Sequence, residues 1–462
     1  MKYLSPAVAF LISLMLACGG DPHPEDIYSG VWVGRAGGDS FVFQFNEGGS
    51  GDCPGVIHCL RDGRKYSEVP MGTVRWQPPE LTVFVEETGV TYSGTMEEGA
   101  IRGGLSYASA PSMDMNLFSS PAESLPGLLP IEGEYVYSPP EALEDGIPAA
   151  SCEEVGIPVE SVEEILSRIV DGDAGVVHSL LVFSGGRLVI EEYFHGYGPD
   201  DLHRLASSTK SVSSLLTGIT IDQGLVDSVT VPLAAFYPEA DPELRLDHLL
   251  TMSMGLDWTD GEAESVHGTG DEMFLSVLSR GRASAPGEGF RYVNADVNLL
   301  SGIIHRATGM YPEEYAISVL FEPLGIDEWD WSYGAVDGHR LMDGSLQLRP
   351  RDMGKIGLMV MNGGTWEDRR IVSEGWIEES SLPRFEVDTL FDYGYLWWLT
   401  TLSVDGRDMD MMLASGWGSQ FIAVVPEAGI VIVTTGGNED NGKNWNVLRL
   451  VQEVLFTEPS AG

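Results

Sequence analysis

Basic residues are scarce in this 462-residue chain: 26 Lys and Arg stand against 70 Asp and Glu, a formal net charge of −44. Such a field repels phosphate backbones and anionic membrane surfaces, which removes nucleic acid from the expected partners. Lysine is scarcest, with Lys2, Lys65, Lys210, Lys355 and Lys443 as its only occurrences. A lysine inside an apolar pattern is therefore hard to read as surface decoration. Cysteine is limited to Cys18, Cys53, Cys59 and Cys152. The mostly apolar run from Leu4 to Ala17 is too short to span a bilayer comfortably. No G-x-S-x-G elbow occurs, which excludes an α/β-hydrolase triad built on one. No His, Cys, Asp or Glu cluster has metal-ligand spacing, so neither metal nor cofactor is expected.

Length and a 43% hydrophobic content suffice for two domains. Residues 1–18 form a targeting segment that ends in Met15-Leu16-Ala17-Cys18 and resembles a bacterial lipoprotein signal. Cleavage before Cys18 would leave that cysteine to carry lipid. Such signals usually have leucine three residues before the cysteine, where this chain has Met15, and plain secretion is the alternative. Either way a cell-envelope or extracellular location is expected, with membrane attachment only through the anchor. Export makes Cys53 and Cys59 a disulfide candidate, since those compartments are oxidising. Cys152 is left over. Residues 28–137 read as a β-rich barrel or sandwich, with runs such as Phe41-Val42-Phe43 and Leu81-Thr82-Val83 between Gly, Asp and Pro turns. Its Gly30-Val31-Trp32-Val33-Gly34 resembles the first strand of small lipocalin-like barrels, and equally an ordinary hairpin strand. Residues 138–158 read as a linker.

From 159 to 456 the order is helix, hairpin, helical region, then strands again: helix over Val159 to Val170, strands over Ser179 to Phe183 and Arg187 to Phe194, and later strands over Asp392 to Leu399, Met409 to Ala414 and Gln420 to Thr435. This is an α+β pattern, an antiparallel sheet assembled from both ends of the domain around a helical insert. At the junction stands Ser207-Ser208-Thr209-Lys210. It opens a helix whose Val212, Leu215, Leu216 and Ile219 recur at i, i+3, i+4 and i+7, so an amphipathic helix is expected, stopped at Gly224. Ser207 and Lys210 then share one face, with the serine at the positive end of the helix dipole. The competing reading is a Ser/Thr cap followed by a solvated lysine.

Leu181 to Tyr197, Ser207 to Lys210, His248 to Gly255 (HLLTMSMG), Pro286 to Asn298 (PGEGFRYVNADVN), Leu348 to Met353 (LRPRDM), Tyr393 to Leu399 (YGYLWWL) and Ser415 to Pro426 (SGWGSQFIAVVP) together resemble the β-lactamase-related serine hydrolases. Within that group the pattern is most similar to 6-aminohexanoate-dimer hydrolase and the class C-like esterases. The resemblance implies a transpeptidase-like α+β fold and an acyl-enzyme mechanism. Ser207 would be the nucleophile, and Lys210 and Tyr292 would move protons. Asn294 would orient Lys210 or a substrate carbonyl. Relatives that recognise penicillins carry Lys-Thr-Gly or His-Thr-Gly where this chain has Ser415-Gly416-Trp417-Gly418. The loss of that cation points to small neutral esters or amides, with the Trp417 and Ser207 amides as oxyanion donors beside Gly416 and Gly418. A catalytically silent binding protein, or a true β-lactamase or D-aminopeptidase, are the alternatives. His248 reads as a loop-holding residue, and His203, four before Ser207, as no part of a triad. Trp397-Trp398 reads as core or pocket wall.

Overall fold

The computed structural model describes residues 136–455, apart from 196, 259–269, 333, 405 and 439–444, and before them nine strands. Residues 1–18, expected to be a targeting segment, and Cys53 lie outside the described residues, as does the side chain of Cys59. The chain divides into two compact units, residues 1–132 with Phe194–Tyr197, and Gly133–Tyr193 with Gly198–Gly462.

The first unit is all antiparallel: β1 (Val31–Ala36), β2 (Asp39–Phe45), β3 (Gly55–Arg61), β4 (Arg64–Pro70), β5 (Thr73–Gln77), β6 (Glu80–Val85), β7 (Val90–Glu97), β8 (Ala100–Tyr107) and β9 (Met113–Ser120). Their order is β4-β3-β2-β1-β9-β8-β7-β6-β5. The chain-order meander is re-joined where Val31, Trp32 and Val33 pair with Ser120, Ser119 and Phe118. Alternation sets the inner face, with Leu81, Val83 and Val85 of β6 buried and Phe84 exposed. Trp32, Phe43, Tyr92, Ile101 and Leu117 join them in one core. One nine-stranded antiparallel sheet over one core fits the expected β-rich unit, and among the described residues its end strands β4 and β5 do not pair with each other.

In the second unit β10 (Val177–Ser184) and β11 (Arg187–Tyr193) form the expected hairpin. The C-terminal strands are β12 (Phe385–Glu386), β13 (Asp392–Tyr393), β14 (Trp398–Val404), β15 (Arg407–Gly416), β16 (Gln420–Val425) and β17 (Ile430–Gly436). The sheet runs β11-β10-β17-β16-β15-β14-β13-β12. Its two ends of sequence meet where β10 pairs antiparallel with β17. Two expected strands are each split: a turn at Leu396, φ +59°, separates β13 from β14, and Pro426–Gly429 separates β16 from β17. Helix α1 (Val159–Val170) buries Val162, Ile165, Leu166 and Ile169, an i, i+3, i+4, i+7 stripe. It packs on α5 (Asn446–Leu455), while α4 (Pro350–Met361) packs on β10, β16 and β17.

The stretch expected to be a linker is instead laid on the edge of this sheet. Ala150 N donates to Leu188 O at 2.9 Å and Leu188 N to Pro148 O at 2.8 Å, Ile147 is buried in the main core, and Tyr137 Oη donates to Val189 O at 3.0 Å. Arg351 pairs with both Asp145 and Glu191 at 2.8 Å. The physical reason is the open edge of β11, whose backbone groups need partners whatever the composition of the segment that supplies them. Cys152 is a free buried cysteine in this stretch.

Helix α2 (Thr209–Asp222) departs from its expected amphipathy: every residue from Thr209 to Thr220 is buried. Its polar side bonds back to its own backbone, with Ser213, Thr217 and Thr220 hydroxyls donating to Thr209 O, Ser213 O and Leu216 O at 2.7 to 3.1 Å. As far as Thr220 that leaves a buried helix with few polar groups to satisfy, one of which is Lys210. It lies against α3 (Asn294–Thr308). No described helix is long and apolar enough to cross a membrane.

Candidate active site

Ser207 sits in the short 3-10 turn Ala206–Ser208 that leads into α2. The turn is held on three sides. Leu205 N donates to Leu346 O at 2.8 Å, Ser208 Oγ donates to Gln420 O at 2.7 Å, and Gly416 packs directly against it. A Cβ at Gly416 would overlap the Leu205 carbonyl and lie 3.1 Å from Ser208 Oγ, so only glycine lets β15 come this close. Ala206 adopts φ +46°, a left-handed conformation unusual for a residue with a side chain, immediately before the serine.

Lys210, one turn later, is 2% exposed. Its Nζ donates to Ser207 Oγ at 2.9 Å and to Asp343 O at 2.7 Å, and lies 4.9 Å from the centroid of the Tyr292 ring. The amine is thus fixed between the serine hydroxyl, a carbonyl and an aromatic face, which excludes the solvated-lysine reading. Tyr292 is half-buried and stacks on Trp398 at 5.8 Å, with Tyr393 edge-on at 6.4 Å. The tryptophan pair divides accordingly: Trp397 is core and Trp398 is wall.

Asn294 opens α3, and its Oδ1 is buried without a hydrogen-bond partner. The carbonyl that holds Lys210 belongs to Asp343, in a loop the sequence pattern did not single out. That loop is anchored at each residue: Met342 N donates to Asn298 Oδ1 at 2.8 Å, Ser213 Oγ donates to Met342 O at 2.8 Å, and Arg204 Nε donates to Gly344 O at 2.9 Å. The only sequence signal for it is the turn-forming Asp343-Gly344, a common dipeptide.

Trp417 follows Gly416 with its side chain 43% exposed, and Gly418 and Ser419 turn the chain at φ +86° and +69°. Gln420 Nε2 and Asn438 Nδ2 secure this turn through Gly418 O, Gly436 O and Ser419 Oγ. His203 stands beside His178, ring centroids 5.5 Å apart, and His248 accepts the Arg245 N–H at the start of its short helix while its carbonyl takes Ser253 N. Among the described residues no group of three or more His, Cys, Asp or Glu could hold a metal ion.

The beta-lactamase family model matches residues 164–452. The chain belongs to that family. This beta-lactamase-family protein is 25% identical over 330 residues to the 6-aminohexanoate-dimer hydrolase of Paenarthrobacter ureafaciens, across 63% of this chain and 82% of the relative. Its fold matches a beta-lactamase-like protein of Bacteroides dorei (TM-score 0.54, 17% identity, 65% of this chain and 99% of the other). It also matches EstCE1, a hydrolase with promiscuous acyltransferase activity (TM-score 0.51, 14% identity, 64% and 97%). Family membership with a serine beside a buried lysine makes the protein a serine hydrolase.

Proposed function

We propose that this beta-lactamase-family protein is an esterase or amidase that acts through an acyl-enzyme on Ser207 and takes small neutral substrates. The observation that carries the reading is the buried Lys210 Nζ, 2.9 Å from Ser207 Oγ and restrained by the Asp343 carbonyl. With Lys210 neutral, the serine proton passes to Nζ as Oγ bonds the substrate carbonyl carbon. The Ser207 and Trp417 amides take the oxyanion. The proton then goes to the leaving alkoxide or amine, with Tyr292, whose ring centroid is 4.9 Å from Lys210 Nζ, as the second proton carrier in this scheme, and water releases the acid. Asn294 Oδ1, buried and unpartnered, suits a substrate N–H or the moving Lys210.

The neutral-substrate reading rests on Ser415-Gly416-Trp417, where no cation faces a substrate carboxylate. A lost charge-assisted hydrogen bond is worth about 1.5 to 3 kcal/mol, roughly ten- to a hundredfold in binding. The relative named for 6-aminohexanoate dimer supports a linear amide as the bond cleaved. The test compares kcat/KM for a p-nitrophenyl short-chain ester and a chromogenic cephalosporin on one preparation, with fluorophosphonate labelling of Ser207. The ester should lead and Ser207 should carry the adduct; an equal or higher cephalosporin value, or no adduct, would overturn the reading.

The location we infer is the cell envelope, with lipid on Cys18 and a Cys53–Cys59 disulfide. Cys18→Ser should move the protein from the membrane to the soluble exported fraction, and mass spectrometry should find the disulfide.

A further inference from the structure

Beside the segment that carries Tyr292 lies a cavity of about 210 Å³, lined by Met252, Met254, Leu256, Trp258, Phe290 and Asp296 among others. Ser207, Lys210, Tyr292 and Trp417 do not line it. Its walls are well held: Arg291 N donates to Met252 O at 2.8 Å, Val293 N to Met252 Sδ at 3.5 Å, and Ala283 N to Gly255 O at 2.9 Å. At about 30 Å³ per water the space exceeds what one or two structural waters require. Concave sites lined by apolar side chains with a few placed polar groups are where small organic molecules bind.

One polar group sets its chemistry. Asp296, in the first turn of α3, is 3% exposed, and its Oδ1 accepts the Trp258 Nε1 proton at 3.2 Å. Burial pushes its carboxyl up to about 7, against the lowering effects of that hydrogen bond and of the Arg280 and Arg291 charges. Arg280 lies flat on Trp258, 3.6 Å from the ring centroid, with its Nη1 on Asp257 O. A ligand anion would meet Asp296 and the protein's net charge of −44, and a ligand cation would meet Arg291, which lines the cavity. An uncharged donor meets neither obstacle and supplies the second carboxyl oxygen with a hydrogen bond.

We propose that this cavity is a second binding site, separate from the Ser207 cleft, for a small uncharged molecule with an apolar body and one hydroxyl that donates to Asp296. The wall it would lean on, Phe290 to Val293, also carries Tyr292, so an occupant sits one residue layer from the reacting groups.

Calorimetric titration of the full-length protein with benzyl alcohol tests this, with toluene, benzylamine and benzoate as the comparison ligands. Benzyl alcohol should bind saturably at one site, toluene at least about tenfold more weakly for want of the hydroxyl, and both charged ligands more weakly still. The same titration on protein phosphonylated at Ser207 should be unchanged, and Leu256→Trp, which fills the cavity, should abolish binding. Toluene binding as tightly as benzyl alcohol, loss of binding on phosphonylation, or no saturable binding by the wild type would each overturn the proposal. The wild-type ligand series decides it even where Leu256→Trp does not fold. Because binding by unmodified protein needs no turnover, an inactive but benzyl alcohol-binding protein would contradict the hydrolase reading alone.

Discussion

In the proposed mechanism Lys210 is the residue on which the chemistry turns, and it is buried with a short, fully specified set of neighbours. Lys210→Arg should lower ester kcat by about 10²- to 10⁴-fold, since guanidinium stays protonated and cannot take the serine proton. Stopped-flow acylation measures it, and near-wild-type rates would reduce Lys210 to a structural cation. Asn298 is a quieter case. It holds Met342 N, one residue from the carbonyl that restrains Lys210. Asn298→Ala leaves a buried N–H unsatisfied and should cost about 1 to 3 kcal/mol in unfolding free energy. It should also reduce kcat more than it raises KM, because the loop it releases touches the amine rather than the substrate.

Between elements, the decisive contact is the close approach of β15 to the Ser207 turn. Gly416→Ala forces a methyl group onto the Leu205 carbonyl and should destabilise the protein by about 1 to 3 kcal/mol. Activity should fall further than stability explains, since the displaced turn carries the serine; thermal melts and kcat/KM on the same samples separate the two. The first turn of α3 offers a pH test. Asp296 titrates near its ordinary 3.8 when unfolded and at about 7 when folded. Between those values the folded state binds more protons than the unfolded one, so this group's contribution to stability falls as pH rises from about 4 to 7 and stays constant above. Asp296→Asn removes that dependence. Its melting temperature relative to wild type should therefore rise steadily across that window and then level off, and a flat difference would contradict the buried-carboxyl assignment.

For the molecule as a whole, 70 acidic residues against 26 basic create a field that extends well beyond any one contact. Cationic esters should outperform isosteric anionic esters in kcat/KM at low salt. The ratio should shrink by several-fold as ionic strength rises from about 0.01 to 0.5 M, where the Debye length falls from about 30 Å to a few Å. A salt-independent ratio would show that the charge lies too far from the cleft to steer substrate.

Much of this architecture was legible because it is local. The S-x-x-K offset is a property of one helical turn, the stripe of α1 matches its burial residue for residue, and alternation in β6 separates core from solvent. Composition alone marked Lys210 as unusual. What was not legible depends on partners distant in sequence. Amphipathy failed for α2 because the core surrounds it, and its serines and threonines turned inward onto their own carbonyls. The 138–158 stretch reads as a linker until the open edge of β11 is seen beside it. Asn294 was expected to orient Lys210 or a substrate carbonyl; the Asp343 carbonyl that restrains Lys210, 133 residues from it, carried no comparable signal. The sequence by itself determined the S-x-x-K offset and the lack of a cation at Ser415-Gly416-Trp417, since those follow from residue type and short spacing. Only the tertiary structure decided what holds the amine beside the hydroxyl, because a backbone carbonyl has the same chemistry at every position and acquires a role solely from where the fold puts it.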